Sequence, residues 1–141
     1  LDEIGAPRFK AWSAGSQPKG EVHPISLDLL RDLGHDIGGL RSKSWDEFAI
    51  PGAPEFDFIF TVCDNAANEA CPLWLGHPAS AHWGIPDPAA AEGTEEERRL
   101  SFDMAYTQMK NRIKAFISLP FGSLSEADLK NSLDNIGRMQ D

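Results

Sequence analysis

Phe56-Asp57-Phe58-Ile59-Phe60-Thr61-Val62, followed at once by Cys63, is the stretch on which the fold turns. Its nearly continuous aromatic, aliphatic and β-branched run is the pattern of a strand covered on both faces, as strands in parallel sheets are. Cys63 stands at the C-terminal end of that strand. Open parallel sheets place their ligand crevices beyond the carboxyl ends of their strands, so function is expected to cluster there.

Working outward toward the C-terminus, Ala79–Trp83 is predicted as a second short strand that leads into the loop Gly84-Ile85-Pro86-Asp87-Pro88. From Thr94, a cap with Glu97 at the box position, a helix is predicted to about Leu119. Leu100, Met104, Met109, Ile113, Phe116 and Ile117 supply its apolar stripe, and Pro120 follows. Ser125 to Ile136 is a further amphipathic helix, capped by Ser125 with Asp128 nearby. Toward the N-terminus, Ser44-Trp45-Asp46-Glu47 is a capping box. Ser44 is expected to accept the third helical amide while Glu47 reaches back to the cap. Pro24 opens a helix in which Ile25, Leu29, Leu30 and Leu33 fall at helical spacing before Gly34. Arg8–Ala14, between the Gly5–Pro7 break and Gly15, reads as a strand. The chain opens on Leu1 rather than Met, and Leu1 to Pro7 reads as the end of a helix running into a loop, with something preceding it. Strands alternating with helices point to a parallel α/β sheet joined by right-handed crossovers. Three strands are thin for this length.

The 141 residues, 41% hydrophobic and 25% charged, have the proportions of one globular domain. No window approaches the roughly 18 apolar residues of a membrane span, and no leader pattern is seen, so the cytoplasm is the expected location and no membrane partner is expected. A net charge of −9 argues against a nucleic-acid surface, and an anionic ligand would need a local positive pocket. Two cysteines, Cys63 and Cys71, are too few for a disulfide scaffold and wrongly spaced for a closed zinc site, yet suffice for a reversible redox pair. His23, His35 and His77 show no metal spacing, so no metal and no cofactor are expected.

Taken together, Ser13-Ala14-Gly15-Ser16, Gly34-His35-Asp36, Leu40-Arg41-Ser42-Lys43-Ser44, Phe60-Thr61-Val62-Cys63-Asp64, Glu69-Ala70-Cys71-Pro72 and His82-Trp83-Gly84-Ile85-Pro86-Asp87-Pro88 occur in the order and approximate spacing of a known family. The sequence resembles bacterial arsenate reductases related to low-molecular-weight tyrosine phosphatases over about residues 1–120. Residues 121–141 form a C-terminal helical extension. The resemblance implies an α/β, three-layer, Rossmann-like fold: a four-stranded parallel sheet flanked by helices, whose central first strand leads into a Cys-x5-Arg anion loop. That strand and loop are missing from this sequence, because the sixth residue after Cys63 is Glu69 and the sixth after Cys71 is His77.

What the resemblance implies for chemistry is a thiol relay on arsenate, the oxyanion substrate. A loop cysteine attacks arsenate, Cys63 resolves the adduct as arsenite leaves, and Cys71 receives the disulfide for reduction by thioredoxin. The Cys63–Cys71 interval is one residue longer than in the thioredoxin-linked type, so a glutathione- or mycothiol-type small thiol, or a glutaredoxin system, stays open as the reductant. Exchange demands accessible thiolates, whereas the plain alternative makes each cysteine a small buried hydrophobe. Asp87, between two prolines, is the implied general acid; a carboxyl near a bound oxyanion would be raised in pKa, which suits that role. Its plain alternative is a turn-forming Asp before Pro.

Other polar residues are weighed the same way. His82 and Trp83 read better as a satisfied core histidine beside a packing tryptophan than as catalytic groups. Arg41 and Lys43 are either a source of positive charge or a solvated surface, and Ser13 is a weak candidate for supporting the anion loop or a cation. Two rivals remain: a tyrosine-type phosphatase, disfavoured by the cysteine pair because ester hydrolysis needs no resolving thiol, and a truncated, non-catalytic binding module. Adjacent strands sit about 4.8 Å apart, so without a central strand Arg8–Ala14 and Phe56–Val62 would lie about twice that distance from each other. The exposed inner edges would invite dimerisation or strand exchange.

Overall fold

Two parallel strands, β1 (Phe58–Thr61) and β2 (Ala79–His82), hold the centre of the computed structural model, which describes residues 1–15, 19–62 and 78–139. Phe58 lies opposite Ala79 and Thr61 opposite His82. Side chains alternate across a strand, so Phe58, Phe60, Ala79 and Ala81 share one face while Ile59, Thr61, Ser80 and His82 share the other. The first face carries the core. Phe60 stacks on Trp83 with ring centroids 3.8 Å apart, and Phe116 meets Phe58 and Phe60 edge-on. Trp83, Phe116 and Leu133 are the most deeply buried large side chains. The indole N–H of Trp83 donates to the Leu133 carbonyl at 3.0 Å, which satisfies the one polar atom that burial of a tryptophan would otherwise strand.

Among the described residues there are four α-helices: α1 (Asp2–Gly5), α2 (Pro24–Asp32), α3 (Glu95–Ile117) and α4 (Glu126–Gly137). Their starts follow the expected chemistry. The Thr94 hydroxyl accepts from the Glu97 N–H at 3.1 Å, and Glu95, Glu96 and Glu97 place negative charge at the positive end of α3. Ser125 accepts from the Asp128 N–H at 3.1 Å. At α2, Pro24 takes a first-turn position, and Gly34 beyond the helix has φ 85°, a conformation glycine adopts without a Cβ penalty. Helix α4 lies along the side of β2 away from β1. Its Leu133 and Ile136 enter the core, and Lys130 donates to the Ser80 carbonyl, covering an outward-facing acceptor of that edge.

Three expectations are corrected. Arg8–Ala14 forms no ladder. Phe9 anchors it in the core against Phe116 and Phe121, and among the described residues the only pairing next to it is an isolated parallel bridge between Gly15 and Ser44. A strand exists only where a neighbour receives its backbone groups, and side-chain composition cannot supply that neighbour. The capping box is half made: Ser44 accepts from Asp46 at 3.1 Å to start a 3-10 turn, Trp45–Phe48, while the Glu47 carboxylate turns to Arg41. On α3, Leu100 and Met104 are exposed, and the buried positions are Phe102, Arg112 and Phe116. This 23-residue helix packs its first half on α2, where the His23 ring sits 4.8 Å from Phe102, and its second half on the sheet. One stripe cannot serve both. Among the described residues, no helix is long and apolar enough to cross a membrane.

Candidate active site at the ends of the parallel strands

The ladder between the strands continues past their formal ends. The Trp83 N–H donates to the Thr61 carbonyl at 2.7 Å, and the Ile85 N–H donates to the Val62 carbonyl at 3.1 Å. On the polar face the Thr61 hydroxyl and His82 Nδ1 lie 2.7 Å apart. The two chain segments therefore leave the sheet side by side, in the same direction. One leads from Val62 to Cys63, and the other leads from Ile85 to Asp87.

The second segment is tightly specified. Gly84 folds back so closely that a Cβ there would stand 2.7 Å from His82 Nε2, which is why a residue without a side chain suits the bend. Asp87 follows between Pro86 and Pro88. Its Oδ1 accepts from the Ala89 N–H at 2.9 Å and caps the 3-10 turn Pro88–Ala90, leaving the carboxylate exposed. This bond is the turn-forming role open to any Asp before Pro, and it holds the carboxylate in one orientation. The turn also packs on α3. Beside the loop lies an open cleft of about 710 Å³, lined by His82, Gly84, Ile85, Pro86, Asp134, Gly137 and Arg138.

Beneath the bend is a residue the sequence reading passed over. Arg112 of α3 is only 4% exposed, and its Nη1 donates to the carbonyls of Trp83 at 2.9 Å and Gly84 at 3.1 Å. Nη2 reaches the Met139 carbonyl at 3.3 Å. The signal was available: Arg112 falls three residues after Met109 and four before Phe116, on the inward side of the helix. A second unread cluster joins α1 to α3, with His35 lying 2.8 Å from Glu3 through Nδ1 and 2.7 Å from the Tyr106 hydroxyl through Nε2.

Cys63 and Cys71, together with His77, lie outside the described residues. The remaining candidates are placed as follows. Trp83 is core, but His82 is hydrogen-bonded on an exposed face, so it is not the buried histidine expected. Arg41 makes two hydrogen bonds to Glu47, at 2.7 and 3.0 Å, on the protein surface. The hydrogen bond that Arg41 donates to the Glu47 carboxylate, reinforced by the charge of Glu47, raises the guanidinium above its ordinary pKa. The hydrogen bond from Arg41, aided by the charges of Arg41 and Lys43, holds Glu47 below the usual carboxylate range. Ser13 lines a smaller hollow of about 230 Å³ with Gly15, Glu21, Ser42 and Lys43. Among the described residues no group of three His, Cys, Asp or Glu side chains is arranged to hold a metal.

Parallel strands flanked by helices, with an Asp loop at their carboxyl ends, define an α/β protein, and the chain belongs to the low-molecular-weight phosphotyrosine protein phosphatase family: the family model of that description matches residues 1–132. Within that kinship the chain is similar to proteins named arsenate reductase. One from Bacillus subtilis (strain 168) is 34% identical over 108 residues, covering 77% of this chain and 74% of the relative. One from Shouchella clausii is 36% identical over the same shares. One from Oceanobacillus iheyensis is 34% identical over 114 residues, or 81% and 78% of the two chains.

Proposed function

We propose that this protein reduces arsenate to arsenite through a relay of cysteine thiols, in arsenic detoxification. The observation that carries the proposal is the kinship to arsenate reductases over about three-quarters of the chain. Supporting it is the hydrogen bond between Val62 and Ile85, which sets the segment leading to Cys63 beside the segment leading to Asp87.

In this reading an arsenate held as a thiol–arsenic adduct is attacked at its sulfur by the Cys63 thiolate. The electron pair of the sulfur–arsenic bond stays on arsenic, which is reduced from As(V) to As(III) and leaves as arsenite while a disulfide forms. The Cys71 thiolate then attacks that disulfide at Cys63, freeing the first thiol and leaving a Cys63–Cys71 bond. Thioredoxin, or a small-thiol or glutaredoxin system, supplies the two electrons that reopen it. Asp87 protonates the oxygen that departs from arsenic as the adduct forms. The first thiol belongs to a Cys-x5-Arg loop, a spacing that the 141 residues do not contain. A relay of free thiols runs in a reducing compartment, which makes the cytoplasm its place of work.

The test is arsenite production by the protein expressed from its complete reading frame, with thioredoxin and with glutathione as alternative reductants and with phosphate-ester hydrolysis measured alongside. Cys63→Ser should still form the arsenic adduct but lose turnover by about 100-fold or more. Efficient ester hydrolysis without arsenite would instead make the protein a phosphatase, and the relay would be abandoned.

A further inference from the structure

Arg112 is a cation held almost entirely away from water, and its three hydrogen-bond acceptors are all backbone carbonyls. Among the described residues no carboxylate lies within ion-pairing distance of it. Burying a guanidinium without a counter-charge is costly, and arginine does not escape the cost by losing its proton. A neutral residue of similar size would fill the same space without that expense. The arrangement is therefore best understood by what the guanidinium holds.

What it holds is the bend. Successive carbonyls of an extended strand point in opposite directions, yet those of Trp83 and Gly84 converge on one nitrogen, Nη1. This is where the chain stops being β2 and becomes the loop that carries Asp87 three residues later. On the other side, the Ile85 amide is fixed by the Val62 carbonyl of the neighbouring segment. The loop thus leaves the sheet clamped between α3 and the extension of β1, and Nη2 ties the same guanidinium to Met139, just beyond α4.

We propose that Arg112 is a positioning residue: its guanidinium sets the direction in which the Gly84–Pro88 loop departs, and so the place of the Asp87 carboxylate over the strand ends. The effect on chemistry rests on the arsenate-reduction reading above, whereas the effect on the loop does not. A lysine keeps the charge but on one nitrogen at the end of a flexible stem, so it cannot hold the Trp83 and Gly84 carbonyls from one nitrogen and the Met139 carbonyl from a second, rigidly linked one, as the guanidinium does.

Hydrogen exchange and kinetics on Arg112→Lys, in the protein expressed from its complete reading frame, test this. Exchange at the Ile85 and Ala89 amides should accelerate about tenfold or more, while the α3 amides between Phe102 and Met109 stay protected. The turnover number for arsenate should fall about 10- to 100-fold with KM little changed, because misplacing a reacting group by about 1 Å costs that much. In an Asp87→Asn background the same substitution should cost almost nothing further, since the two residues act through one group. Faster exchange across the whole core, an unchanged turnover number, or an equal loss with and without Asp87 would each overturn the proposal. If the wild-type protein makes no arsenite, the reduction reading falls, and the exchange measurement still decides whether Arg112 fixes the loop.

Discussion

Truncating Leu133 to alanine tests whether α4 is part of the core or an appendage. Leu133 is 0% exposed, and it packs with Trp83, Phe116 and Ile136. The substitution removes three carbons, which at about 0.8 kcal/mol each come to roughly 2.4 kcal/mol of lost burial. A partly collapsed cavity adds about 1 kcal/mol, giving about 3 to 4 kcal/mol in all. The hydrogen bond from the Trp83 indole survives, because its acceptor is the Leu133 backbone carbonyl. With a denaturant dependence of about 2 kcal/mol per molar urea, the unfolding midpoint should drop by about 1.5 to 2 M at unchanged slope. Leu100→Ala is the internal control: that leucine is 57% exposed, and its loss should cost under about 0.5 kcal/mol. Urea titrations followed by tryptophan fluorescence measure both. Equal midpoints for the two variants would refute the assignment of α4 to the core.

Gly137→Ala should destabilise by about 1 to 3 kcal/mol, since the new Cβ would stand 2.6 Å from the His82 carbonyl oxygen and 3.0 Å from the Trp83 ring. Thermal melts of this variant should fall below those of Gly122→Ala, a glycine with open space around it. Glu47 gives a pH dependence. Its folded-state pKa is lowered by the Arg41 hydrogen bond, so the stability it contributes is present above the unfolded carboxylate value of about 4.3 and is lost as pH falls through the lowered folded value. Glu47→Gln should therefore differ slightly from wild type near neutrality and coincide with it at pH about 2, as read from urea midpoints. A difference that is the same at both pH values would count against the pairing.

Local chemistry is legible in one dimension because its partners are a few residues apart. Thr94 and Glu97, Ser125 and Asp128, and Asp87 and Ala89 find each other through the geometry of a single turn, and each bond is where the sequence placed a cap or a turn. The strand at Phe58–Thr61 and the Asp87 loop beyond β2 were equally readable from composition and proline spacing.

Tertiary structure decided what depends on distant neighbours. Arg8–Ala14 has strand-like residues, yet among the described residues of this stretch and its flank only Gly15 meets a pairing partner, so no ladder forms. Leu100 and Met104 look like core but face outward, because α2 takes the other side of that half of α3 through Phe102. Glu47 leaves its cap for Arg41 because a charged donor attracts a carboxylate more strongly than an amide does. Arg112 illustrates the difference most plainly: its sequence neighbours mark an inward-facing position, but the carbonyls of Trp83, Gly84 and Met139 that admit a buried charge are brought together only by the folded chain.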